Sequence, residues 1–398
     1  MNDLKAVFNL NKIGQMFLKK ITATAIGIAV LFPFGQLQAE TIWTPSLTLA
    51  GIYDDNIQFT RFEPEEDFIY TAQPALQLNY NQEFTQIYSR GYVYLRRYDS
   101  NDELDDEIYR FNLEGKSNIT ERFRLRGDYE FIKDTTLDAE LDEIGRIYSR
   151  EDRMNHQARL SPTYNLTERF VVGLDGRYRD VSYDSDVKVD YTVWDVGMPF
   201  RWLLITQIDS IYVSPGYSYR DSDTNRTDSY NLRIGWDHET TERLKLNFSV
   251  GARYTEQENL RSGETYETWN GLGSLLLDYI FQTGKLTLDF QHDLRNTAAG
   301  DVVNVTRLRA RLRWNFTERL GMDLEGRYFY TRDEREESRE SGQYYQLSPE
   351  LFYQLTENHT IFIVYDYSHD YNDELEEDRN AERNRVWAGI RLNFPFEF

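Results

Sequence analysis

Alternation with a period of two runs through this chain, and the alternating runs are joined by a turn written almost identically four times. The copies are Asn118-Ile-Thr-Glu-Arg-Phe123, Asn165-Leu-Thr-Glu-Arg-Phe170, Glu239-Thr-Thr-Glu-Arg-Leu244 and Asn315-Phe-Thr-Glu-Arg-Leu320. With degenerate copies near Asn81, Leu203, Phe281 and Gln354, the turns recur every 34 to 47 residues, a spacing that marks a repeated supersecondary unit. After the first turn, Phe123, Leu125, Gly127, Tyr129 and Phe131 share one face, while Arg122, Arg124, Arg126, Asp128 and Glu130 share the other. A β-strand places alternate residues on opposite sides, so the repeated unit is a hairpin.

The same reading predicts strands near 46–54, 69–80, 86–97, 107–117, 122–132, 156–165, 169–180, 190–202 and 209–220. It continues with 228–237, 243–255, 268–280, 284–295, 304–315, 319–331, 344–355, 359–369 and 385–398, an even total of about 18. Tight turns alternate with longer polar loops at 99–106, 134–153, 257–267, 331–342 and 370–382. A soluble sandwich also alternates, but it turns its apolar faces against each other and does not sort its connections by length. A membrane barrel accounts for both facts, with an apolar lipid face, a polar lumen, short periplasmic turns and long external loops. About 11 residues per strand suits a tilted crossing. The expected fold is therefore all-β: a transmembrane antiparallel up-and-down β-barrel of about 18 strands in a bacterial outer membrane.

Residues 1–39 read differently. Lys19 and Lys20 precede an apolar run over 21–34, and a small residue, Ala39, stands at the expected cut. This is the pattern of a secretory signal, and the run is short for a membrane anchor. The expected organisation is a signal peptide over 1–39 and a barrel over 40–398. Removing the segment's net +3 (Asp3 against Lys5, Lys12, Lys19 and Lys20) takes the formal charge from −22 to −25. Nucleic acid is excluded as a partner on that charge. There is no cysteine, which removes disulfides and thiolate metal sites from consideration.

The chain holds 29 Tyr and 23 Phe, and many of these aromatics fall at strand ends, among them Tyr53, Tyr80, Tyr129, Tyr164, Tyr178, Tyr217, Tyr219, Tyr254, Tyr279, Trp314, Tyr328, Tyr330 and Tyr365. Such positions suit interfacial girdles. Pro74, Pro162, Pro199, Pro215 and Pro349 sit inside strand-like runs, where each removes a ladder donor, and β-bulges are expected there.

From Val386 the outward parity reads Val386, Ala388, Ile390, Leu392, Phe394, Phe396 and Phe398. This resembles the assembly signal of bacterial outer-membrane barrels, which implies recognition of Phe394, Phe396 and Phe398 by the barrel-insertion machinery. At the other end, Pro45-Ser-Leu-Thr-Leu-Ala50 leads into Tyr53-Asp-Asp-Asn56, and hairpins with Thr-Glu-Arg turns follow. Together these resemble the family of putative β-barrel porins, type 2, often encoded with exopolysaccharide synthesis and secretion systems. The resemblance implies an outer-membrane channel serving exopolysaccharide export, with polysaccharide and periplasmic export components as partners beside outer-membrane lipid and lipopolysaccharide. A general or anion-preferring diffusion porin, and a surface adhesion or structural barrel, are the alternatives.

The lumen parity supplies the candidate pore-lining residues. Arg307, Arg309, Arg311 and Arg313 form a ladder on one strand, flanked by outward Leu308, Ala310, Leu312 and Trp314. Arginine on the lipid face costs about 2–4 kcal/mol at the midplane, so the ladder must face water. Further inward candidates are Arg124, Arg126, Arg159, Arg177, Arg233, Arg253, Arg327 and Arg391, opposed by Asp128, Glu130, Asp175, Asp237, Asp289, Asp323, Glu325 and Asp366. A wall lattice of ion pairs is expected for most of these. The ladder, whose own strand carries no acid, is expected to be the free charge that selects anions.

Two external loops are acidic: Asp99, Asp102, Glu103, Asp105, Asp106 and Glu107 in one, and Asp370, Asp373, Glu374, Glu376, Glu377 and Asp378 in the other. Solvated surface is the expected role, with divalent bridging to lipopolysaccharide as the alternative. The second run lacks the Asp-x-Asp-x-Asp-Gly framework of a calcium loop. The histidines, His156, His238, His292, His359 and His369, fall in no nucleophile–base signature, so neither catalysis nor a cofactor or metal site is expected.

Overall fold

The structure, a computed structural model, describes residues 40–397 apart from 146–149, 186–187, 205–207, 242, 298–301, 334–340 and 373–378. The expected signal peptide, Phe398 and the carboxylates Asp373, Glu374, Glu376, Glu377 and Asp378 lie outside the described residues.

The alternating runs form strands β1 (Glu40–Asp54), β2 (Asp67–Asn81), β3 (Thr85–Tyr98), β4 (Asp106–Asn118), β5 (Phe123–Thr135) and β6 (Asp152–Asn165). β7 is a pair of collinear segments (Phe170–Gly173 and Asp175–Tyr183), as is β8 (Tyr191–Gly197 and Phe200–Leu203). β9 (Asp209–Ser222), β10 (Asn225–Thr241), β11 (Leu244–Asn259), β12 (Thr265–Phe281) and β13 (Gly284–Asn296) follow. Then come β14 (Val302–Asn315), β15 (Leu320–Asp333), β16 (Ser341–Gln354), β17 (His359–Asn372) and β18 (Arg379–Asn393, continued by Phe396–Glu397).

Every strand is antiparallel to the next, and β1 pairs with β18 from Ser46 opposite Asn393 to Asp54 opposite Arg385. That pairing closes an 18-stranded barrel and leaves no free edge. With strands about 4.8 Å apart and tilted by about 40°, the backbone ring is roughly 35 Å across. The motif Tyr53-Asp-Asp-Asn56 sits on this seam. Asp55 accepts from the Asn384 backbone N–H at 2.6 Å and from its side-chain amide at 2.8 Å, and Asn56 donates to the Glu382 carbonyl at 2.9 Å. First and last strands are thus stitched by side chains where the ladder ends.

The outer surface carries a band of aliphatic side chains such as Leu232, Ile234, Val250, Leu308, Ile361 and Ile363, all exposed. Aromatics flank it. At one border Tyr217, Tyr230, Tyr254 and Trp269 make a chain of ring contacts at 5.3, 6.5 and 5.2 Å across four successive strands. At the other, Phe170 meets Trp202 at 4.3 Å and Phe281 meets Trp314 at 5.0 Å. On β12 the two borders are marked by Trp269 and Tyr279. Ten residues at about 3.3 Å, tilted by about 40°, span roughly 25 Å of membrane height, the expected thickness of the apolar band.

The expected proline bulges are absent at those positions. Gln73 and Pro74 drop out of the β2–β3 ladder, yet Ala72 opposite Leu95 and Ala75 opposite Tyr92 keep one register. Likewise β16 and β17 hold register across Ser348 and Pro349, Pro199 only divides β8, and Pro215 pairs in step with Leu232. Pro162 lies in register with Leu125. A lost donor removes one bond, whereas a one-residue slip would turn every side chain to the wrong face, so register survives. The register shift among the described pairs lies between His238 and Thr241 on β10, where there is no proline.

The long connections also depart from expectation. The 257–267 loop shrinks to 260–264 because β11 and β12 extend beyond the membrane band, and β9 and β10 are joined through 223–224 alone. Segment 134–153 contains a helix, α1 (Thr136–Glu143), and it turns into the barrel rather than out of it.

Candidate functional site

The inward turn of α1 follows from three apolar residues in a polar loop. Leu137, Leu141 and Ile144 are spaced to form one helical stripe, and they join Phe59, Val303, Val305, Phe329 and Tyr344 in a buried cluster. Val303, Val305, Phe329 and Tyr344 belong to β14, β15 and β16, on the far side of the ring from β5, where α1 begins. They are apolar side chains on the lumen parity, and they form the wall on which the helix docks. Each buried aliphatic side chain contributes about 1.5–3 kcal/mol.

Capping and charge fix the ends of the helix. Thr135 Oγ1 donates to Asp138 Oδ2 at 2.9 Å and accepts from the Asp138 backbone N–H at 3.4 Å, an N-cap arrangement. Arg96 of β3 donates to both Asp138 oxygens at 3.0 and 2.6 Å. At the other end Glu143 accepts from Arg153 at 2.8 Å and from Arg179 at 2.8 and 2.9 Å. Burial alone would raise the Glu143 carboxyl, but Arg179 and Arg153 outweigh it and hold it far below the usual carboxylate range. Asp138 is held low in the same way, burial being overcome by Arg96. Past the helix, Gly145 takes a positive φ of 69°, and Thr331 Oγ1 donates to the Ile144 carbonyl at 2.6 Å. The segment thus spans the lumen from β5 to β15.

Loop 55–66 closes against it. Ile57 and Phe59 are buried, and Phe59 meets Tyr344 edge-on at 6.1 Å.

Beside α1 remains a cavity of about 590 Å³. Its charged lining, among the described residues, is Arg96, Arg110, Arg153, Arg179, Arg295, Arg307, Arg309, Arg383 and Arg385 against Asp54, Glu130, Asp134, Asp138 and Glu143. Guanidinium groups outnumber carboxylates on the cavity surface itself, while Asp106, Asp289 and Asp366 pair with Arg96, Arg307 and Arg385 from behind it. Cavity walls of low dielectric strengthen the field of the charges that face the lumen relative to open water.

The ladder does not carry this excess by itself. Arg307 donates to Asp289 at 3.0 Å, and Arg311 grips Asp323 with contacts at 2.6 and 2.9 Å. Arg309 lies 3.8 Å from Glu325, and Arg313 lies over the Phe352 ring at 5.3 Å. The expectation that the ladder lacks acidic neighbours is therefore overturned: antiparallel pairing sets Asp289 opposite Arg309, and Glu325 opposite Arg311, one strand away. Acids on adjacent strands matter as much as acids on the same strand.

The other candidates are spread along the wall. Arg233 and Arg253 share Asp293 at 2.7 and 2.8 Å, Arg177 meets Asp195 at 2.7 Å, and Arg159 pairs with Asp175. Arg327 takes Glu325. Arg391 forks onto Glu350 at 2.7 and 2.9 Å and lies 4.1 Å over Phe362. Arg124 donates to Asn165 at 3.3 Å, and Arg126 lies 3.9 Å from Glu114. Of the candidate arginines, only Arg307 and Arg309 line the constriction, with Glu130 from among the acids set against them. Sequence reasoning missed Arg96, Arg110, Arg153, Arg179, Arg295, Arg383 and Arg385, although Arg383 and Arg385 share parity with Arg391. In the first acidic run Asp99, Asp102, Glu103 and Asp105 are exposed, as a solvated surface requires, whereas Asp106, at the start of β4, accepts from Arg96 at 2.6 Å and from Arg150 at 2.9 Å.

Residues 35–198 match the family model described as "Putative beta-barrel porin 2", the family that the terminal motifs and turns resemble. No curated protein matches the chain in sequence. Among solved structures, the chain is similar to a BenF-like porin from Pseudomonas fluorescens Pf-5, with 11% identity, a TM-score of 0.48, and 91% of this chain and 99% of that one covered. It is also similar to OccK9 (OpdG) of Pseudomonas aeruginosa, with 12% identity, a TM-score of 0.46, and 90% and 99% covered. Over residues 35–198 the chain is thus similar to that porin family, and its own strands close into an 18-stranded barrel whose exposed apolar band, set between aromatic borders, suits a membrane.

Proposed function

We propose that this barrel is a constricted, anion-preferring diffusion channel for small solutes. The observation that carries this reading is the arginine excess in the cavity left beside α1, at the point where the lumen is narrowed by its own loop. Rings of one sign set the selectivity of a pore, and they act most strongly where the pore is narrowest.

Export of an exopolysaccharide, implied by the family resemblance, is the second reading. It is best served by departure of α1 from the lumen, because the helix docks across the path a polymer chain would take. Glu143, Asp138, Thr331 and Gly145 all oppose that departure, which favours diffusion of small solutes through the structure as it stands. Insertion through the C-terminal strand fits either reading, with Phe394 and Phe396 exposed on the outer face.

The test is planar-bilayer recording of the purified protein in a KCl gradient. A reversal potential of the sign for chloride preference, with small unitary conductance, supports the diffusion reading. Cation preference would overturn it. A conductance that rises sharply when periplasmic export components are added would favour the polymer reading instead.

A further inference from the structure

The constriction cavity has two chemically different sides. Arg307 and Arg309 of β14, Arg383 and Arg385 of β18, and Arg110 of β4 line it, and the Nε of each is buried without a hydrogen-bond acceptor among the described residues. Arg383 is 5% exposed and lies over the Phe59 ring at 4.8 Å. The Arg383 side chain makes no hydrogen bond or ion pair among the described residues, so its guanidinium lines the cavity without a carboxylate partner, and carboxylate oxygens match the guanidinium fork. The remaining wall, from β1 to β3, presents Ile52, Ile69, Tyr92 and Tyr94 to the same space.

We propose that this cavity is a binding site for an organic carboxylate with an apolar or ring-shaped body. The carboxylate lies against Arg383 and Arg309, and the body lies against Ile52, Ile69 and Tyr94. The proposal rests on the anion-preferring reading and narrows it: the channel holds its solute during passage, and it distinguishes anions by what they carry beside their charge. Inorganic anions satisfy the arginines but leave the apolar wall unused, whereas an uncharged analogue uses the wall and leaves the arginines unsatisfied.

The experiment is single-channel recording of the full barrel in KCl with cyclohexanecarboxylate, acetate, sulfate or cyclohexanecarboxamide added to one side. Cyclohexanecarboxylate is expected to interrupt the current at concentrations about tenfold below acetate or sulfate, and the carboxamide is expected to be inert. Arg383→Gln should raise the half-blocking concentration about tenfold, and Arg309→Gln, on a different strand, should raise it as well. Arg226→Gln, which pairs with Asp221 at 3.1 Å outside the cavity, should leave it unchanged. Equal block by cyclohexanecarboxylate and acetate, or block that both arginine variants leave unaltered, would overturn the site. If that result comes with chloride preference intact, the channel reading survives and only the site falls; a cation-preferring channel removes both.

Discussion

Gly145 and Phe329 touch across the lumen so closely that a β-carbon on Gly145 would lie 2.6 Å from the Phe329 β-carbon. The same glycine has a φ of 69°, a conformation that L side chains adopt at a cost of about 1–2 kcal/mol. Sterics and backbone therefore both require glycine where α1 meets the wall. Gly145→Ala should weaken docking by at least that backbone cost, shifting the undocked population roughly 5–30-fold. Planar-bilayer traces of the variant should show frequent transitions to a larger conductance, while heat-modifiable mobility on SDS gels stays that of a folded barrel. A trace identical to the parent would count against α1 as the constriction.

The ionic tether at the other face of α1 has a defined pH response. Glu143 is held far below its ordinary value in the folded protein, so its contribution is fully present above the ordinary carboxylate pKa and is lost only as pH falls through the depressed folded value. Conductance should therefore stay flat between about pH 8 and about pH 5. Glu143→Gln weakens the charge-assisted bonds to Arg153 and Arg179, each worth about 1.5–3 kcal/mol, and should mimic strong acid by raising the frequency of large-conductance openings at neutral pH. Parent channels that open progressively between those pH values would refute the tether.

Much of the barrel is legible in sequence because a lipid face and a water face impose a strict period of two. The run Leu308, Ala310, Leu312 and Trp314 against Arg307, Arg309, Arg311 and Arg313 admits one assignment, and β14 follows it. The plug is less legible because its evidence is an exception to that period. Val303, Val305, Phe329 and Tyr344 are apolar on the lumen parity, which taken alone reads as noise, and they acquire meaning only once Leu137, Leu141 and Ile144 are found against them. An eight-residue helix of about 12 Å with two acids facing arginines from three different strands has no local signature. Arg383 was hidden for a simpler reason: β18 begins at Arg379, further out than the start at residue 385 that its apolar alternation suggests, whereas Arg385, at that start, shares the lumen parity of Arg391 and is legible by the same rule. The partners of the ladder depended on register between strands, which alternation within a strand does not specify.

Position along the ladder should decide selectivity. Arg309 lines the constriction, whereas Arg311 and Arg313 lie beyond it. One charge about 8 Å from the permeation path, at an effective dielectric of about 40, contributes roughly 1 kcal/mol, or about five-fold in the chloride-to-potassium permeability ratio. Arg309→Gln should lower that ratio by about this factor, and Arg311→Gln should lower it by much less. Reversal potentials in a KCl gradient give the comparison directly. Equal effects of the two substitutions would show that selectivity is spread along the wall and not set beside α1.

The recurring turn owes its conservation of form within the chain to its threonine. Thr120 Oγ1 accepts from the Arg122 and Phe123 backbone N–H groups at 3.3 and 2.9 Å. Thr167 does the same for Arg169 and Phe170 at 3.3 and 3.0 Å, and Thr317 for Arg319 and Leu320 at 3.2 and 2.9 Å. The degenerate copy repeats it, Thr356 accepting from Asn358 and His359 at 3.2 and 3.1 Å. In the copies at Thr120, Thr167 and Thr317 the following glutamate and arginine are exposed, so the hydroxyl is what the turn needs. Thr167→Val keeps the shape and removes the acceptor, and should cost about 1 kcal/mol, whereas Glu168→Gln should be nearly neutral. Because the turns lie far apart, Thr120→Val, Thr167→Val and Thr317→Val together should cost roughly 3 kcal/mol. Urea titration of the refolded barrel in detergent, followed by heat-modifiable mobility, measures both. If Thr167→Val were silent while Glu168→Gln destabilised the barrel, the repeat would have to be explained by its acidic residue and not by this cap.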